Sequence, residues 1–217
     1  MALQIWLLNP YQVRYPCEEL CAQVKKLMEP VVKKRDAGSK NKFGTVLVNS
    51  RYTMPPVGPR DLAVYVVPVR DCGFVGVAFG SGGREHAGGL TTHDEGKACS
   101  EVYLGEEISG SGGVLITAER VKNDNNGYRV EMRFEPQLVA KAVFHELMHN
   151  VTPLWHVEKL HHISGVSLGK EEIASNFPQS NKDVEILAGN MDKSKHTQWT
   201  GAWAWLISEG NFTPQPA

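Results

Sequence analysis

Hydrophobic and polar positions change period several times along the chain. Residues 3–8 (Leu-Gln-Ile-Trp-Leu-Leu) are almost continuously apolar and predict a short buried strand. Leu20, Val24, Leu27 and Val31 recur at helical spacing, with Pro16 suited to the first helical position and Pro30 expected to kink or end the helix. A polar loop is predicted over residues 36–42, then β-branched strands over 44–49 and 62–69. Residues 73–79 read as a further strand. The glycine-rich stretches 81–89 and 109–113 read as turn-rich surface segments. Asn126-Gly127 lies between two β-rich runs, 114–121 and 128–134, and predicts a hairpin.

A longer period then takes over. Glu135-Pro136 opens a predicted helix running to about Val151, with Val139, Val143 and Leu147 on one stripe and Ala140, Phe144 and Met148 on the next. Apolar stripes on adjacent faces mark a central, buried helix. Pro153 stops it, because the residue before a proline is pushed out of the helical region. A short helical piece over 154–162, a turn at Gly165 and Gly169, a short element over 184–187 and a tryptophan-rich final helix over 197–208 complete the reading. The expected class is α+β, a mixed twisted sheet with a backing helix, a central helix and a C-terminal helix. Residues 1–151 form the expected sheet-containing subdomain and 152–217 a smaller C-terminal one.

Composition narrows the function classes. The chain has 217 residues, 41% hydrophobic and 22% charged, which sets aside disordered, collagen-like and coiled-coil readings. The formal net charge is −1 with no basic stripe, so a nucleic-acid partner is not expected. No apolar run approaches a membrane span, so no membrane partner is expected either. Residues 1–10 lack a basic flank and a cleavage site, so the reading is a strand and not a signal peptide. Cys17, Cys21, Cys72 and Cys99 have no metal or redox spacing and read as free or buried thiols. The expected location is the cytoplasm, or outside the cell by a route without a cleavable signal. Residues 123–127 lack the spaced acidic ligands of a calcium loop.

The chemistry concentrates in Phe144-His145-Glu146-Leu147-Met148-His149-Asn150, which contains H-E-x-x-H. The chain's own histidine and glutamate content gives about 0.02 chance matches to that motif. Histidines at i and i+4 share a helix face one turn apart, so both imidazoles can reach one zinc ion. Zinc lowers the pKa of bound water towards about 7, and Glu146 is placed to take that proton and pass it to a leaving amine. The bland alternative is a pair of buried structural histidines beside a salt-bridging glutamate. A catalytic zinc takes three protein ligands and water. Downstream candidates for the third are His156, His161, His162 and the pair Glu171 and Glu172.

With this motif, a strand-rich first half with a first helix, and a methionine just before an expected C-terminal helix, the chain resembles the metzincin clan of zinc metallopeptidases. The resemblance implies a third histidine after the helix and a methionine turn beneath the zinc. Met191, in Gly189-Asn190-Met191-Asp192, matches that turn in placement. The clan's extended motif departs here: Thr152 stands where it has glycine, and Trp155 where it has its third histidine. The expected third ligand is His161 after an insertion, with His156 as the alternate and His162 or a carboxylate still open. A second resemblance, to the SprT/WLM group of DNA-repair-associated metallopeptidases, rests on the same motif followed by Trp155-His156 and favours His156. A gluzincin-like site would use Glu171 or Glu172.

The resemblance implies a zinc-dependent endopeptidase acting on a protein or peptide substrate. The substrate is expected to lie along an exposed edge strand, at residues 101–104 or 73–79. No pro-segment with a cysteine switch is evident, so latency is expected to need a proteinaceous inhibitor or regulated export. A zinc-stabilised binding module without proteolysis is the alternative from another class. His86 and His93 read as exposed loop histidines, and Trp199, Trp203 and Trp205 as packing for the last helix.

Overall fold

The computed structural model describes residues 1–10, 15–52, 60–67, 89–94, 97–104, 107–108, 113–114, 116–122, 128–134, 136–151, 181–191 and 197–198. They form an α+β arrangement around a mixed sheet. Strand β1 (Ala2–Leu8) leads to helix α1 (Cys17–Ala37), then to β2 (Thr45–Arg51) and β3 (Leu62–Val67). Strands β4 (Gly89–Asp94) and β5 (Lys97–Tyr103) complete the main run. Strand β1 lies between β2 and β3, parallel to both, with Ile5 opposite Val48 on one side and Leu62 on the other. Strand β5 continues the parallel order beside β3, and β4 pairs antiparallel to β5 from Gly89↔Val102 to Asp94↔Lys97. The first ten residues thus supply a central strand, as their apolar run implies.

Two short strands follow, β6 (Glu107–Ile108) and β7 (Gly113–Val114), paired with each other. The expected hairpin is present as β8 (Ile116–Lys122) and β9 (Tyr128–Phe134), in register from Ile116↔Phe134 to Lys122↔Tyr128. Helix α2 (Pro136–Val151) has the predicted bounds, with proline at its first position, where the missing N–H has no helical partner to lose. Helix α3 (Asn181–Met191) and strand β10 (Thr197–Gln198) are the last described elements.

One face of the sheet carries the helices. Leu3, Ile5 and Leu7 of β1, Leu62, Val64 and Val66 of β3, and Val102 of β5 meet Leu20, Val24, Met28 and Val31 of α1. The same core takes both predicted stripes of α2, from Val139 to Val151, and Leu187 of α3. Each fully buried side chain of this size contributes about 1.5–3 kcal/mol relative to exposure. The opposite face of the central strands is buried as well, at Leu8, Tyr65, Val67, Cys99 and Tyr103. Burial on both faces explains why β3 reads as an unbroken apolar run.

Several expectations are corrected. Helix α1 does not end at Pro30 and continues past it to Ala37. Pro30 lies on the exposed face, so water can serve the carbonyl it leaves unpaired, while Met28, Val31 and Val32 on the buried face hold the helix together. The short element at 184–187 is an 11-residue helix, because Val184, Leu187, Ala188 and Met191 all pack on the core side. Met191 therefore closes a helix instead of standing in a turn. Residues 197–198 form a strand beside Lys97 and Ala98 of β5, where a helix was expected to begin. Elements beyond residue 151 meet the earlier ones in space: α3 packs on α1, with Lys34 and Glu185 paired at 2.7 Å, and β10 joins β5. Residues 73–79, 154–162, 165, 169 and 199–208 lie outside the described residues.

Cys17, Cys21 and Cys99 are free thiols, as expected, and Cys72 is outside the described set. Among the described residues no helix is long and apolar enough to cross a membrane. Pro30→Ala should raise the unfolding free energy by about 1–3 kcal/mol, because it restores a helical donor on an exposed face. A higher urea midpoint at unchanged slope is the expected reading.

Candidate metal centre

Helix α2 carries two polar rows beside its apolar stripes. His145 and His149 form one i,i+4 row, and Glu146 and Asn150 form the next. The histidine row is the more accessible, with His145 half-buried and His149 8% exposed. Their Nε2 atoms stand 2.7 Å apart and the rings cross edge to face, at 82° with centroids separated by 4.4 Å. At that distance one nitrogen presents its proton and the other its lone pair. Moving that proton to the far ring nitrogen frees a lone pair on both Nε2 atoms. Two imidazole nitrogens on one tetrahedral zinc stand about 3.3 Å apart, so a small ring rotation suffices to admit the ion. By residue type the pair could supply two of the three protein ligands a zinc ion would need.

The second row faces the antiparallel pair β4 and β5. Glu146 is 5% exposed, and its Oε2 accepts a hydrogen bond from the Thr91 hydroxyl at 2.5 Å. Thr91 lies directly opposite Ser100 in register, and their hydroxyl oxygens are 2.7 Å apart. Both hydroxyls also stand 3.3 Å from the main-chain carbonyl of Glu146. Asn150 donates from Nδ2 to the Ser100 hydroxyl at 3.0 Å. Gly89 closes the other side of the carboxyl. A Cβ there would sit 2.6 Å from Glu146 Oε1 and 2.9 Å from the Glu101 carbonyl oxygen, so only glycine fits without displacement.

Burial pushes the Glu146 carboxyl up to about 8; the Thr91 hydrogen bond pulls it down, and the Glu101 charge adds to the rise. Glu101 is itself fully buried on β5 and accepts a hydrogen bond from the Tyr103 hydroxyl.

The residues expected from sequence are thus only partly brought together. His145, Glu146 and His149 share one helix turn, as H-E-x-x-H requires. His156, His161, His162, Glu171, Glu172 and His86 lie outside the described residues. Among the described residues no third His, Cys, Asp or Glu joins the histidine pair. His93 belongs to β4, opposite Ala98, and not to a loop. Residues 101–104 do not offer an edge, because β5 is paired with β3 on one side and β4 on the other. Among the described residues β4, which pairs with β5, and β2, which pairs with β1, are edge strands of this sheet, and β4 is the one beside Glu146. Gly89, Thr91, Ser100 and Asn150 were not anticipated. The one local signal for them is the i,i+4 relation of Asn150 to Glu146.

Compared with known protein families, curated proteins and solved structures, the chain matches none.

The raised carboxyl has a consequence for stability. A folded-state value near 8 against 4.5 unfolded means that the folded protein binds the extra proton. This group's contribution is full below about pH 4.5 and is lost as pH rises through about 8. After removal of divalent metal by a chelator, wild type should therefore lose stability between pH 5 and pH 8.5 relative to Glu146→Gln. The expected difference is on the order of 2–4 kcal/mol. Parallel pH profiles of the two urea midpoints would contradict this.

Proposed function

We propose that the protein is a zinc-dependent endopeptidase with a metzincin-like fold. The observation that carries the reading is the convergence of the His145 and His149 Nε2 atoms at 2.7 Å, one residue from a buried glutamate on the same helix turn. His145 and His149 hold the metal, with His161 as third ligand and His156 as its alternate. Bound zinc supplies a Lewis acid that acidifies water and polarises a carbonyl.

The remaining work falls to the chain's own groups. A neighbouring dication favours the ionised form of Glu146 and offsets its burial. The carboxylate then accepts the proton of the attacking water and returns it to the departing amine nitrogen. The substrate is a protein or peptide in extended form, aligned by backbone hydrogen bonds along the edge of β4 beside this glutamate. That edge replaces the one expected at residues 101–104.

A specific observation also favours a second reading. Glu146 is bonded to β4 through Thr91, so it fastens helix to strand whether or not it catalyses. In a non-proteolytic, zinc-stabilised binding module the metal would raise stability and no peptide would be cleaved.

Metal analysis and peptide-library digestion separate the two. Wild type should carry one zinc per chain, lost in His145→Ala and in either His161→Ala or His156→Ala. Glu146→Ala should keep the metal and lose cleavage by about 100- to 10,000-fold. Retained cleavage in that variant removes the mechanism. Zinc without any wild-type cleavage selects the binding module, and no metal even after reconstitution removes both readings.

A further inference from the structure

The hydroxyls around Glu146 form a directed chain. Asn150 Nδ2 can only donate, and it donates to Ser100 Oγ at 3.0 Å. With that lone pair of Ser100 engaged, its own proton is available to Thr91 Oγ1 at 2.7 Å. Thr91 then spends its single proton on Glu146 Oε2 at 2.5 Å. With Thr91 donating to the carboxylate, Ser100 is the donor of the hydroxyl pair and the chain ends on Oε2, while both hydroxyls also lie 3.3 Å from the Glu146 carbonyl oxygen. Ser100 is fully buried and Asn150 is 1% exposed, so water competes poorly for these bonds.

The placement is fixed at both ends. Asn150 and Glu146 belong to one i,i+4 row of α2. Thr91 and Ser100 are direct cross-strand partners of β4 and β5. The row and the pair therefore lock to each other as two rigid elements. The Glu146 carboxyl is left with Oε2 bonded and Oε1 set in the notch at Gly89. Among the described residues Oε1 carries no hydrogen bond.

We propose that Thr91, backed by Ser100 and Asn150, is a positioning residue: it fixes the Glu146 carboxylate through Oε2 and so reserves Oε1 for the reacting proton. The three side chains act through Glu146. The inference rests on the reading of Glu146 as the proton acceptor.

Thr91→Val keeps the shape and removes the hydroxyl, and Thr91→Ser restores it. The first readout needs no activity. In chelator-treated protein, the infrared carboxyl band of Glu146, identified by its disappearance in Glu146→Gln, should shift in Thr91→Val and return in Thr91→Ser. The second is kinetic, on zinc-loaded protein. Thr91→Val should lower kcat by about tenfold to a hundredfold at unchanged KM and unchanged zinc content, with rescue by Thr91→Ser. Ser100→Ala should give a smaller loss of the same kind and serves if Thr91→Val does not fold. An unmoved band, or a parallel change in kcat and KM without rescue, overturns the proposal. If wild type cleaves nothing, the peptidase reading fails separately; the band alone then decides whether Thr91 positions Glu146.

Discussion

A carboxyl group held out of water between a helix and two strands is the constraint on which the rest of this structure depends. Burying Glu146 is unfavourable unless donors meet its oxygens. The Thr91 hydroxyl that meets Oε2 requires that α2 approach β4 and β5 closely. Gly89 allows that approach because a Cβ would collide with Glu146 Oε1 at 2.6 Å. Thr91 and Ser100 allow it because each places a hydroxyl where a longer side chain would hold the helix away. Their antiparallel register is essential, since it places the two hydroxyls on one face opposite the same helix turn. A slip by one residue would turn both away and leave the carboxyl unmet.

The approach is held by packing elsewhere. The two apolar stripes of α2, from Val139 to Val151, press on the core side of the sheet, where Leu3, Ile5, Leu7, Val64, Val66 and Val102 receive them. Helix α1 flanks α2 on the same face, and α3 packs on both. Around its circumference α2 thus gives two stripes to the core, one polar row to β4 and β5, and one row to the histidine pair. Dispersion and burial along the stripes supply the stabilisation; the polar rows consume part of it.

Local features were legible in the sequence, and non-local ones were not. The stripes of α2, its proline start, the hairpin β8–β9 and the central β1 all follow from spacing within about a dozen residues. H-E-x-x-H is legible for the same reason, since i and i+4 fix the histidine pair before any tertiary contact. The helix does not end at Pro30 because the core contacts of Met28, Val31 and Val32 outweigh a missing donor on the wet side. The reading of residue 191 failed because the apolar spacing of Val184, Leu187 and Ala188 extends one turn further, to Met191. Glycine density concealed the start of β4, where Gly89 is required by a side chain 57 positions away and not by a turn. The Thr91–Ser100–Asn150 chain joins residues from three elements, and no periodicity announces such a meeting.

The two polar rows of α2 differ in exposure and in how tightly they are held, which supports the division of work proposed for them. The His145 row is the more accessible, and its two Nε2 atoms stand 2.7 Å apart. A group that must be loaded with a metal needs such access and enough freedom to open slightly. The Glu146 row is nearly dry and tied to two strands through bonds that leave little rotamer freedom. A proton acceptor gains from that rigidity, because a carboxylate already in position loses no further entropy at the moment of reaction. A glutamate kept only for stability would be poorly served by the same site, since burial pushes its carboxyl up to about 8. An apolar side chain of similar volume would pack there without that penalty. The cost of the buried carboxyl, set against the histidine pair one residue away, is the physical argument for reading this turn of α2 as a site of chemistry.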